Sequence, residues 1–310
     1  MGGGHPRGVS RRASLLFAAL ALAWGVPYLL IEVAGEELPP STLVLARTAL
    51  AAVLLLPLAL ARGQVGPVLR RWRPVLAYAV VEIVVPWFFL ARAEQELPSS
   101  TTGLLIAAVP LVAVLVALVT GRAERFGARG WLGLAAGTVG VAALVGLDVG
   151  GSDLGAVAEL GVVVLGYAVG PALLARRLGD VGGLGVMAVS VTAAALVYVP
   201  VVALGPGLPD AVPATRVLLS VVVLAVVCTA AAFLLLFALV GELGPVRALS
   251  VVYVNPLVAI VAGATLLGER ITAWTVVGFA LVLLGSFLVT RPARERRPAT
   301  AAPARRTVAS

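Results

Sequence analysis

Four ionisable side chains stand inside long apolar runs of this chain: Glu32, Arg47, Glu82 and Glu159. A charge at the centre of a membrane-spanning helix costs about 2.5–3.5 kcal/mol on insertion scales, so such residues face a protein interior or a wet cavity rather than lipid. Glu82 is the deepest, in AYAVVEIVVPW (77–87). Spacings of i, i+4, i+8 and i+11 put Tyr78, Glu82, Pro86 and Phe89 on one helix face. A carboxyl held there between burial and a neighbouring cation can load and release a proton, which makes Glu82 the candidate proton carrier. The other use of that position is a protonated acid hydrogen-bonded to a neighbouring helix for packing.

Further polar residues follow helical spacing. Trp24, Tyr28 and Glu32, four residues apart, suit a cavity wall with two aromatic surfaces and an acid near its mouth. Arg47 can pair with Glu32 or Glu159, bind a substrate carboxylate bidentately, or snorkel to the surface. Tyr167 follows Glu159 by eight residues on the same face. Asn255, the only asparagine, precedes Pro256 and has Tyr253 close by. A proline kinks a helix and frees a carbonyl one turn earlier, so this stretch reads as a binding or hinge element. Pro27, Pro86, Pro110 and Pro256 are the candidate hinges. The pairs Gly133/Gly137 and Gly166/Gly170 suit close internal helix contacts, with dimerisation as their other use.

Other chemistries lack their residues. His5 is the only histidine and Cys228 the only cysteine, so neither a Cys/His metal cluster nor a disulfide can form. There is no lysine, which excludes a Walker A loop. No catalytic residue, metal or cofactor is expected, and any coupling must draw on an ion gradient or the solute's own gradient.

The elements that position these side chains follow from composition. Of 310 residues, 61% are hydrophobic and 12% charged, whereas soluble domains have roughly a quarter of their residues charged. That is an all-α polytopic membrane protein. Apolar runs near the length of about 20 residues needed to cross a bilayer occur at 13–34, 41–61, 74–92, 99–120, 130–148, 155–174, 185–204, 216–239, 247–267 and 273–290.

Charge orients them. Arg7, Arg11 and Arg12 precede the first run; Arg62, Arg70, Arg71 and Arg73, then Arg122, Arg125 and Arg129, then Arg176 and Arg177, then Arg247 fill alternate connections. With six more after the last run, 19 of the 23 arginines fall on one side and only Arg92, Arg216 and Arg270 on the other. The positive-inside bias puts both termini in the cytoplasm of a cell with this protein in its plasma (inner) membrane. The net charge of +8 is therefore a topology signal, not a nucleic-acid footprint. Residues 1–12 are expected to form a cytoplasmic N-terminal segment, and the Arg-, Pro- and Ala-rich tail 291–310 is expected to be disordered and to meet anionic lipid.

The chain also repeats itself. PLVA begins at Pro110 and again at Pro256, and each copy continues to a Glu-Arg pair, at Glu124 and at Glu269. From the glutamate the spacing is the same, to Gly133 and Gly140 in one copy and Gly278 and Gly285 in the other. This predicts two five-helix halves, 13–148 and 155–290, with the second inverted because five crossings reverse the chain. Inverted repeats are a mark of secondary transporters, whose substrate site lies near the midplane between the halves.

With these features the chain resembles the EamA-type drug/metabolite transporter superfamily. AWGVPYLLIE (23–32) is similar to the family's opening motif, and PPSTLVLARTALAAVLLL (39–56) places Arg47 at its recurring arginine. The resemblance implies ten helices in two inverted repeats, structural roles for Glu124, Glu269 and the four glycines, and a cavity lined by the first, third, fourth, sixth, eighth and ninth helices. Trp24, Tyr28, Tyr78, Tyr167 and Tyr253 suggest a partly apolar organic solute. The expected function is export of a small metabolite, amino acid or drug by proton exchange; the alternatives are an uncoupled facilitator and a non-transporting membrane sensor or assembly factor.

Overall fold

The computed structural model describes residues 10–121, 128–144, 154–205, 207–209 and 211–290. Glu124, the N-terminal segment 1–9 and the tail 291–310 lie outside the described residues. In chain order the main helices are α1 (Arg11–Gly35), α2 (Pro40–Ala61), α3 (Trp72–Ala93), α4 (Ser99–Val119), α5 (Ala128–Ala143), α6 (Leu154–Arg177), α7 (Gly183–Leu204), α8 (Thr215–Leu243), α9 (Leu249–Leu267) and α10 (Ala273–Val289). Among the described residues, eight are long and apolar enough to cross a membrane, and α5 and α10 are the shorter two. Leucines, valines and tryptophans such as Leu22, Val53, Trp131, Leu196 and Leu266 point outward and are more than half exposed. Helices of this kind satisfy their own backbone polar groups, and an apolar outer surface suits lipid, so the protein is integral to a membrane.

Several helices are interrupted. α1 bends at Val26, and Pro27 opens its second segment. α3 holds a π-helical turn, Val80–Val84, followed by a segment with Pro86 in its first turn. α4 breaks after Ile106 and restarts at Val109 with Pro110 next. α9 begins as a 3-10 turn, Leu249–Tyr253, and restarts at Asn255 with Pro256. Proline lacks an N–H and clashes with the preceding turn, so it is tolerated where a helix begins afresh. α8 carries a π turn, Val226–Ala231, without proline; there Thr229 Oγ1 donates to the Leu224 carbonyl five residues back, at 2.8 Å.

Packing joins early helices to late ones. The most extensive pairs are α5 with α10 and α2 with α7; α3 packs on α6, α1 on α8, and α4 on α9. The α5–α10 crossing is made by glycine. A Cβ on Gly133 would stand 2.9 Å from the Gly285 carbonyl oxygen, and one on Gly140 2.8 Å from that of Gly278. Side chains would force these backbones apart.

The two ends of the bundle differ in their pairings. At the arginine-rich end Arg71 meets Asp180 with both guanidinium nitrogens, at 2.6 and 2.5 Å, and Arg12 meets Glu242 at 3.1 Å. At the acidic end Glu36 pairs with Arg216, and Glu159 with Arg92 at 2.9 Å.

Candidate functional site

Arg47 anchors a buried polar centre. It is 7% exposed, and its Nε donates to Thr229 Oγ1 at 3.0 Å. Because Thr229 also donates to Leu224, its hydroxyl is fixed from both sides. The guanidinium carbon lies 3.8 Å from the centre of the Trp87 ring, a cation–π contact worth on the order of 2 kcal/mol when desolvated. Tyr28, Tyr167, Glu94 and Cys228 are within electrostatic reach. Of the pairings open to Arg47 in the sequence, neither Glu32 nor Glu159 is taken: Glu159 is held by Arg92, and Glu32 accepts from the Ser99 N–H at 2.8 Å. The side chain turns inward, onto α3 and α8, rather than toward the surface.

Glu82 sits within the π turn of α3, partly buried, with Oε2 sealed from solvent and without a hydrogen-bond partner. A π turn leaves the local ladder out of register and recurs at functional sites. It is seated against α6 at two glycines. A Cβ on Gly170 would overlap the Glu82 carboxyl, and one on Gly166 would overlap the Val81 carbonyl and the Pro86 ring. Tyr78 and Tyr167 are both within electrostatic reach of Glu82, and Tyr167 also faces Arg47 and Tyr28. Tyr78 donates to Met187 Sδ at 3.5 Å, and Tyr198 of α7 donates to the Val84 carbonyl at the end of the π turn, at 2.7 Å. Tyr167 is thus within electrostatic reach of both the carboxyl and the guanidinium.

A third cluster lies at the start of α4. Glu269 Oε1 accepts from the Ser99 N–H at 2.9 Å and from Ser99 Oγ at 2.6 Å, while Oε2 accepts from the Ser100 N–H at 3.1 Å. A helix N-terminus presents unpaired N–H groups and a partial positive charge, which a carboxylate satisfies. Burial pushes the Glu269 carboxyl up, but the hydrogen bonds from Ser100 and Ser99 outweigh it and hold it below the usual carboxylate range. Glu94, next to this cluster, is 5% exposed, and neither of its oxygens has a hydrogen-bond partner. Burial pushes its carboxyl well up, reinforced by Glu32 and opposed by Arg47.

The other sequence candidates scatter. Trp24 packs edge to face on Phe233, ring centres 5.9 Å apart, in a separate cluster with α8. Asn255 is buried with Oδ1 unpartnered, its backbone carbonyl close against Gly25 of α1. Tyr253 is partly buried in the 3-10 turn of α9. Trp87, Glu94, Tyr198 and Thr229 were not singled out by sequence. For Glu94 a signal existed: Trp87, Leu90 and Glu94 follow i, i+3, i+7 and share a face. Thr229 had none, being 182 residues from Arg47 in the chain.

Comparison with known proteins bears on this arrangement. The family profile described as "EamA-like transporter family" matches residues 11–146 and again 158–291. A protein of Escherichia coli strain K12 described as "Uncharacterized inner membrane transporter YedA" is 29% identical over 282 residues, covering 87% of this chain and 90% of its own. The counterpart in strain O157:H7 matches to the same extent. A crystal structure superposes with a TM-score of 0.63 at 22% identity, over 90% of this chain and 96% of that one, which speaks to the fold alone.

Proposed function

The chain belongs to the EamA-like transporter family, and from that premise we propose that this membrane transporter is a secondary transporter exporting a small organic solute by proton exchange, with Glu82 as the proton carrier. The observation that carries the reading is Glu82 Oε2, buried without a hydrogen-bond partner. A buried polar group without a partner costs free energy, and here α6 gives up a side chain at Gly170 to make room for it. A packing role would have supplied a hydrogen-bond partner. Tyr78 and Tyr167 on its flanks, and Arg47 beyond Tyr167, are the solute-facing groups of this reading.

Alternating access needs two halves that rock about the site. An inverted repeat of ten crossings is supported by the two successive matches to the family profile. The helix pairs support it too: adding five to each member of the α3–α6 pair, counted cyclically, gives the α8–α1 pair, while α2–α7, α4–α9 and α5–α10 map onto themselves. The repeated glycines also meet crosswise, Gly133 on Gly285 and Gly140 on Gly278, as a two-fold axis requires. Cytoplasmic termini follow from the arginine distribution, and an inner-membrane location is supported by the description of the relative in Escherichia coli. The prolines that open new segments in α1, α3, α4 and α9 are the hinges of this scheme.

The test uses proteoliposomes under an imposed pH gradient, with solute mixtures and an internal pH indicator. Wild type is expected to couple proton movement to uphill solute accumulation, and Glu82→Gln to lose accumulation while retaining equilibrative exchange. Full uphill transport by Glu82→Gln would remove the proton-carrier role. Gradient-independent flux in both proteins would make the chain a facilitator.

A further inference from the structure

Among the described residues, Glu94 is the acid whose two oxygens are both sealed from solvent and both without a hydrogen-bond partner. Buried polar groups are nearly always bonded, so an orphaned carboxyl calls for a reason. The charged and titratable groups that face it come from three elements: Glu32 and Tyr28 from α1, Arg47 from α2, and Glu269 from the connection between α9 and α10. Glu96, in the same connection as Glu94, is exposed. Arg47 is the one cation of that set, and it is itself faced by Cys228 of α8 and Tyr167 of α6.

A guanidinium keeps its charge in a protein. In a low-dielectric interior an ionised carboxylate within its field is drawn into a charge-assisted hydrogen bond with it. Yet the ion pairs among the described residues are Arg12–Glu242, Arg71–Asp180, Arg92–Glu159 and Arg216–Glu36, while Arg47 donates to Thr229. This is the arrangement of a protonated Glu94, and burial, which pushes its carboxyl well up, acts in the same sense. We propose that Glu94 is a second proton site whose proton sets the partner of Arg47: Thr229 while Glu94 is protonated, the Glu94 carboxylate once the proton has left. Ionisation passes one proton from the Glu94 O–H to water and leaves the electron pair on oxygen. The Arg47–Thr229 hydrogen bond then breaks as the Arg47–Glu94 pair forms. α2 packs on both the π turn of α8 and the last segment of α3, so a swing of one side chain suffices. Arg47 and Glu94 lie in the first profile match and Thr229 in the second. Loss of the proton therefore moves a tie between the repeats to within one of them, the release that alternating access needs. Its use in transport rests on the reading above.

Trp87 reports the swing, because the Arg47 guanidinium carbon lies 3.8 Å from its ring centre. Tryptophan emission of the purified full-length protein is followed as pH is raised from about 5 to about 9, above the ordinary carboxyl range. Wild type is expected to show a transition that is absent from Trp87→Phe and from Glu94→Gln, whose amide cannot ionise. Glu82→Gln should keep the transition, so this inference and the proton-carrier role of Glu82 can fail separately. Thr229→Val removes the competing acceptor and should lower the midpoint by about one pH unit, a tenfold change in proton affinity. A flat wild-type curve, the same transition in Glu94→Gln, its loss in Glu82→Gln, or an unmoved midpoint in Thr229→Val would overturn the proposal.

Discussion

Glu269 stands at the start of α4 with three hydrogen bonds on its two oxygens, whereas Glu82 lies in the π turn of α3 with Oε2 sealed and unbonded. Both are acids in an apolar chain. The first completes a helix end that would otherwise bury unpaired N–H groups, so its removal should be felt in stability. The second is accommodated at the expense of a side chain on α6, so its removal should be felt in function and little in stability. The difference separates an acid that holds the fold from one that the fold holds.

The comparison breaks most visibly if stability is lost at the wrong carboxyl. Glu269→Ala is expected to cost about 2–3 kcal/mol, by analogy with hydrogen bonds to charged groups, seen as a lower apparent Tm in detergent. Glu82→Gln is expected to keep the wild-type Tm; a fall as large as that of Glu269→Ala would reassign Glu82 to the scaffold. Gly170→Ala sharpens the contrast from the other side. Its added Cβ overlaps the Glu82 carboxyl, and overpacking of this kind costs about 1–3 kcal/mol. Adding Glu82→Ala should recover most of the lost Tm, because the clash disappears with the carboxyl; no recovery would place the strain elsewhere on α3.

The smallest effect is in pH. The Glu269 carboxyl titrates lower in the folded protein than its ordinary value of 4.5. The unfolded chain therefore binds the proton first on acidification, and the stabilisation is fully present above 4.5 and lost as pH falls through the lower folded value. The Tm gap between wild type and Glu269→Gln should narrow as pH falls below about 4.5. A gap that widened on acidification would reverse the assignment.

Much of the scaffold was legible because lipid imposes a simple rule. A segment must be about 20 residues long and apolar to cross, and the runs read from sequence coincide closely with α1 to α4 and α6 to α9. The prolines were legible as well, since a missing N–H acts locally, whatever surrounds it. The run at 130–148 is helical through Ala143, and its last residues fall outside the described segments. The site was legible only in part. Glu82, Tyr78, Tyr167, Tyr28 and Arg47 could be named because a polar residue in an apolar run is conspicuous. Glu94 was overlooked because one turn of helix beyond the apolar run reads as a connection.

By itself, then, the sequence determined that this chain lives in a bilayer, that its arginines gather on alternate connections, and that it repeats a pattern of Pro, Glu-Arg and Gly. Each of these depends on composition or short spacing. The tertiary structure alone decided that Arg47 turns to Thr229 and Trp87 rather than to an acid, and that Gly170 makes the place for Glu82. It also decided that Glu269 caps a helix 170 residues before it. Those partners are set by which helices pack together, and packing is a property of shapes brought from far apart in the chain, which no local pattern records.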